Sequence, residues 1–198
     1  MPGDLHITGD EAADALLNAN FDALMIGMLL DQQIPLEWAF KGPFTLRQRL
    51  GHLDPATIAA IDEDSFVAVC CDKPAVHRFP AVMGRRIRAL CADLVDHWEG
   101  HAEALWADGC DARTLARRLR ALPGFGPEKT QIFIALLAKR FDVRPDGWEA
   151  AAGVFSDDEP RTIADCADEA SLAAVRAWKA AQKAAGKDKQ GRTTSPRS

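Results

Sequence analysis

The residues whose types and spacing bear on chemistry lie in three places. The first is Leu122-Pro-Gly-Phe-Gly-Pro-Glu-Lys-Thr130, where Gly124 and Gly126 sit between two apolar-periodic runs, residues 111–121 and 130–140. Both runs read as helix, so the chain must reverse within about five residues, and glycine supplies the backbone angles for that. Pro127 suits the first turn of the second helix, where its missing N–H costs nothing. The N–H groups of Gly124, Gly126 and the helix start then point outward together, a small anion site suited to phosphate. The second place is Asp31-Gln32-Gln33, at the end of an apolar run. The third is Asp146, after Pro145 and before Gly147 and Trp148, either as a reactive carboxylate or as the cap of a helix starting there. His97 and His101 have the i, i+4 spacing of a metal pair, but no third ligand is evident and Trp98 beside them points to packing.

The hairpin resembles that of the DNA glycosylases of the helix-hairpin-helix/Gly-Pro-Asp (HhH-GPD) superfamily. These proteins combine it with a Gly/Pro-rich loop ending in an aspartate. The resemblance covers residues 20–153 and rests on the order of the Gln pair, the hairpin and the aspartate. It implies an all-α, compact helical fold with two helical lobes around a cleft, DNA as partner, and hydrolysis of the N-glycosidic bond of a damaged base.

By the resemblance, Asp146 is the catalytic acid, stabilising an oxocarbenium-like sugar or orienting water. Gln33 and Gln32 are pushed into the stack as the target base leaves it. Gly124, Gly126 and Lys129 meet the DNA, and Trp38, Glu128 and Trp148, with Phe40 and Phe44, are candidates for a base pocket. The carbonyls of Arg120, Leu122 and Phe125 would hold a monovalent cation. Bifunctional members place a nucleophilic lysine where this chain has Glu128. Lys129 is one residue later, about 100° around the helix, so a monofunctional enzyme without lyase activity is expected. The iron–sulfur cluster of some members needs four C-terminal cysteines. Only Cys166 lies in that region, so no cluster and no other cofactor is expected. The competing reading is a non-catalytic DNA-binding or adaptor protein that retains the hairpin, which Glu128 and an acidic body favour.

The formal net charge is −5. Residues 179–198 carry six basic groups against Asp188, a net of +5, which leaves −10 on the rest. So acidic a body must meet DNA through local contacts: backbone N–H groups and a few arginines among Arg85, Arg86, Arg88, Arg117, Arg118 and Arg120. The odd, scattered cysteines (Cys70, Cys71, Cys91, Cys110, Cys166) read as reduced thiols. No apolar run approaches the ~20 residues that span a bilayer, and the N-terminus lacks a signal-peptide pattern. A cytoplasmic monomer, nucleoid-associated when bound to DNA, is the expectation.

Residues 1–185 are expected to form one helical domain, with the hairpin at about 111–141. The pattern predicts helices over 12–17, 21–30 (buried all round), 45–50, 80–98 and 171–185. Further helices should start after Asp54 and Asp62, with a break at Gly42-Pro43 and a loop at 156–160. In the long helix over 80–98, Val82, Ile87, Leu90, Leu94 and Val95 should face inward. From Gly186 the Lys/Gly/Ser/Thr mixture predicts a disordered basic tail over 186–198.

Overall fold

Two short helices, α1 (Glu11–Ala19) and α2 (Phe21–Leu30), meet at a bend of 113° in the computed structural model, which describes residues 3–193. Asp10 caps α1 by accepting from the N–H groups of Ala12 and Ala13, and Asn20 caps α2 by accepting from Ala23. Every residue of α2 from Asp22 to Leu30 is buried. Burying one such leucine or methionine contributes about 1.5–3 kcal/mol, so α2 is the axis of the core. Even its one acid is satisfied: Asp22 accepts from the Ala102 N–H (2.7 Å) and lies 3.2 Å from His101 Nδ1.

Around α2 lie α3 (Leu36–Leu50), α4 (Pro55–Ala60), α5 (Glu63–Cys71) and α6 (Pro80–His97) on one side. The hairpin helices α7 (Ala112–Ala121) and α8 (Pro127–Arg140) follow, with α9 (Trp148–Ala152) packed on both. The last helix is α10 (Glu169–Ala184), and short 3-10 turns occupy Ala102–Leu105, Gly153–Ser156 and Ile163–Asp165. The fold class is all-α: the described residues contain no strand, only an isolated bridge between Lys187 and Thr193. The buried side chains form one continuous cluster from Leu5 to Val175. No single helix among the described residues is long and apolar enough to cross a membrane.

Much of the acidic charge sits at helix starts. Besides Asp10, the carboxylates of Asp54, Asp62, Asp111 and Asp168 each accept the N–H of the third residue of their helix. Hydrogen bonds from Thr57, Ser65, Thr114 and Ser171 hold these four below the usual carboxylate range.

Four expectations are corrected. Gly42-Pro43 does not break the chain: α3 runs through both, and both are buried. A Cβ at Gly42 would lie 2.4 Å from Leu30 Cδ1, so the missing side chain lets α3 close on α2, and this burial offsets the hydrogen bond lost at Pro43. In α6, Val82 and Val95 are exposed, while Met83 and Cys91 take the inward places. His97 and His101 do not share a helix face, because α6 ends at His97 and His101 lies beyond a turn. Finally, residues 187–193 are a closed turn rather than a featureless tail. Asp188 accepts from the N–H groups of Gln190 and Arg192, and Gln190 reaches Glu128 Oε2 at 3.4 Å. The tail prediction for 194–198 lies outside the described residues.

Candidate nucleic-acid interface

The Gln pair and the hairpin, some 90 residues apart in sequence, form one junction. Helix α2 ends at Leu30 and its last carbonyls need partners. Lys129, in the first turn of α8, supplies them: its ammonium donates to the Met28 carbonyl and, at 3.1 Å, to the Leu29 carbonyl. Burial pushes its pKa down to about 8, with the Asp31 charge opposing the shift. Gly124 completes the seat. Its φ is +82°, the left-handed region, and a Cβ there would come within 2.3 Å of Leu29 Cδ1. Only glycine combines that angle with that approach.

The turn after α2 treats its two glutamines oppositely. Gln32 is locked: its Nε2 donates to the Leu29 carbonyl (2.8 Å) and its Oε1 accepts from Arg86 Nη1 (3.0 Å). The Gln32 carbonyl meets His77 Nε2 at 2.9 Å, while His77 Nδ1 accepts the Phe79 N–H at 2.9 Å. That pairing fixes the tautomer: the ring proton is on Nε2, and burial pushes the pKa of His77 down. Gln33, by contrast, is exposed, with φ at +59°. For a non-glycine residue this left-handed angle costs roughly 1–2 kcal/mol, a strain the locked Gln32 holds in place.

Exposed aromatic and basic groups lie on several elements. Trp38, 40% exposed, anchors its indole N–H on the Ala75 carbonyl at 3.0 Å. Phe79 is 45% exposed, with the Arg78 guanidinium stacked over it at 5.2 Å. On α7, Arg113, Arg117 and Arg120 are exposed and form no ion pair among the described residues. At the start of α8, Gly126 is open: its φ is ordinary and nothing lies within 4 Å of a Cβ placed there.

The remaining sequence candidates are placed differently. Lys129 is turned inward, and its ammonium is held by the α2 carbonyls instead of facing a ligand. Glu128 is half-buried under the C-terminal turn, bonded to Gln190. Phe40 is fully buried in the core, Phe44 is partly buried, and Trp148 packs against the core at the start of α9. Asp146 lies at the opening of α7, its carbonyl accepting the Ala112 N–H at 3.0 Å. The hairpin turn begins at the other end of α7, about 14 Å along the axis at 1.5 Å per residue. The Asp146 side chain is exposed and has no partner among the described residues. Of the ordered trio, the first two members are joined and the third stands apart.

Of the three carbonyls expected to hold a monovalent cation, that of Leu122 accepts the Phe125 N–H at 3.2 Å. No cluster of three His, Cys, Asp or Glu suited to a metal occurs among the described residues. Burial pushes the thiols of Cys70, Cys91 and Cys166 up to about 12, which makes them poor nucleophiles.

Comparison of the chain with protein-family models, with curated proteins and with solved structures gives no match. The site therefore rests on its own geometry. Sequence reasoning missed His77 and Phe79, which matter only because the segment leading into α6 folds back onto the turn. The alternation of Arg78 with Phe79 was the one local signal.

Proposed function

We propose that the protein binds duplex DNA through the Gln turn and the hairpin and draws a base out of the stack there, as base-excision DNA glycosylases do. One observation carries the reading: the Lys129 anchor and the Gly124 seat tie the exposed, strained Gln33 to the open Gly126 backbone. A duplex held by N–H groups at Gly126 would meet Gln33 at its base stack, with Trp38 and Phe79 beside it for stacking. The arginine stripe on α7 supplies local positive charge that the net charge conceals. In the two-lobed arrangement of that superfamily, α4–α6 and α7–α9 would be the lobes and the Gln turn would stand at the cleft.

Hydrolysis of the N-glycosidic bond by Asp146 is the second reading. It is favoured by a carboxylate that follows the hairpin helix and is free of any partner among the described residues. Its position at the opening of α7 favours the first reading, in which the junction recognises DNA without Asp146 acting on the sugar.

The test is a set of duplexes, each with one damaged base, scored for binding and base release by wild type and by Asp146→Asn. Binding by both proteins with no release supports recognition alone. Release by wild type that Asp146→Asn lacks establishes the second reading. Absence of binding to every duplex overturns both.

A further inference from the structure

A cavity of about 380 Å3 opens between the Gln turn and α10, within the roughly 300–1,000 Å3 of small-ligand sites. Its apolar lining is Ile34 and Pro35 from the turn and Val175 from α10, surface suited to a planar ring. Its polar groups converge from three elements. Asp31 comes from the end of α2, its side chain only 13% exposed, and faces Lys189 from the C-terminal turn at 3.8 Å. Lys179 comes from α10 and lies within Coulombic reach of Asp31. At the mouth, Glu37 and Arg176 satisfy one another, with Arg176 Nε donating to Glu37 Oε1 at 2.6 Å. Asp31 is thus the carboxylate left to meet a ligand, flanked by ammonium groups.

We propose that this cavity receives a guanine-type base, whose N1–H and N2–H2 donors meet the two Asp31 oxygens and whose O6 accepts from Lys179 or Lys189. The pattern of the site is acceptor, acceptor, donor, and the Watson–Crick edge of guanine is its complement. Adenine would turn its N1 lone pair toward the carboxylate. Thymine and uracil carry one N–H between two carbonyls, so the second carboxylate oxygen would face a carbonyl. A buried polar group left unpaired by the wrong base gives the discrimination. The inference deepens the DNA reading, since a base leaving the stack beside Gln33 has this cavity next to it. The same edge is presented by a free nucleoside, so both sources are tested.

Binding is measured by fluorescence anisotropy for duplexes with one bulged guanine, hypoxanthine, adenine or thymine, for a fully paired duplex, and by calorimetry for free guanosine and adenosine. Wild type, Asp31→Asn and Lys189→Ala are compared, each checked for a near-native melting transition. Wild type should prefer bulged guanine to adenine by about tenfold, with hypoxanthine, which lacks the N2 amine, between them. Asp31→Asn offers one acceptor and one donor, so its preference should shift toward adenine while the paired duplex binds as before. Lys189→Ala, on an exposed turn, should weaken guanine and hypoxanthine alike. Equal binding of all four bulged duplexes overturns the cavity assignment and leaves DNA binding standing. Binding of guanosine over adenosine, lost in Asp31→Asn, with no duplex bound, keeps the cavity and overturns the DNA reading. Binding of neither class overturns both.

Discussion

The two ends of helix α7 carry the two halves of the expected site, and they are built by opposite means. At its C-terminal end the hairpin is fastened to α2 by a half-buried lysine and by a glycine against Leu29. At its N-terminal end the Asp146 loop is attached by a backbone bond to Ala112, and its carboxylate stands in solvent. A side chain that is locked can position a ligand, whereas an exposed one must be positioned by it. The contrast makes the junction the better preorganised of the two regions, the one on which the proposed recognition of DNA rests.

The largest test of this contrast is at Gly124. Gly124→Ala should cost about 3 kcal/mol, from a side chain at positive φ and from the clash with Leu29. Urea denaturation measures it, and DNA affinity should fall with it. Gly126→Arg should do the reverse. With open space around Gly126, stability should stay within about 0.5 kcal/mol, while DNA binding weakens and the salt slope drops by about one. Stronger binding would mean the added charge outweighs the backbone contact and the hairpin is not the anchor.

Next is Lys129. Replacing it with Met strands the Met28 carbonyl, while Leu29 keeps its bond from Gln32, at a cost of about 1–3 kcal/mol. Its pH signature has a definite sign. The folded pKa, about 8, lies below the ordinary lysine value, so between the two the unfolded chain binds more protons. Stability from this group therefore rises with pH above 8 and is lost as pH falls through 8. The stability difference between wild type and Lys129→Met should grow from pH 8 toward pH 10. A held lysine also predicts no covalent adduct with DNA on borohydride reduction.

The smallest effect belongs to the C-terminal turn. Deleting residues 187–198 removes the Gln190–Glu128 and Lys189–Asp31 contacts, which are partly exposed and worth under about 1 kcal/mol together. The melting temperature should fall by roughly 2–4 °C at most. Non-specific DNA binding should weaken as Lys187, Lys189, Arg192 and Arg197 are lost.

The sequence was most legible where period and punctuation agree. An unbroken apolar run gave α2, and Leu-Pro-Gly-Phe-Gly-Pro between two periodic runs gave the hairpin. It was least legible where tertiary contact overrides local preference. Pro43 sits inside α3 because α2 covers it, and the turn at 187–193 is ordered by partners over 60 residues away. Lys129 read as a surface cation, since nothing in its neighbours reveals that a helix end 100 residues earlier needs donors. Gln33 was the wedge candidate on paper, but that Gln32 beside it is tied down by His77 and Arg86 had no local signal.

That lysine also fixes an order of assembly. Helix α2 and the hairpin can each form from local chain, but the bond between Lys129 and Met28 closes a loop of 101 residues. Closing so long a loop is among the slow, late events of folding. On a chain emerging from the ribosome, Gln33 is made early and stays without its support until the hairpin is complete. The surface proposed to touch DNA therefore comes into being only when nearly two thirds of the protein has been synthesised, so no shorter N-terminal fragment should carry it.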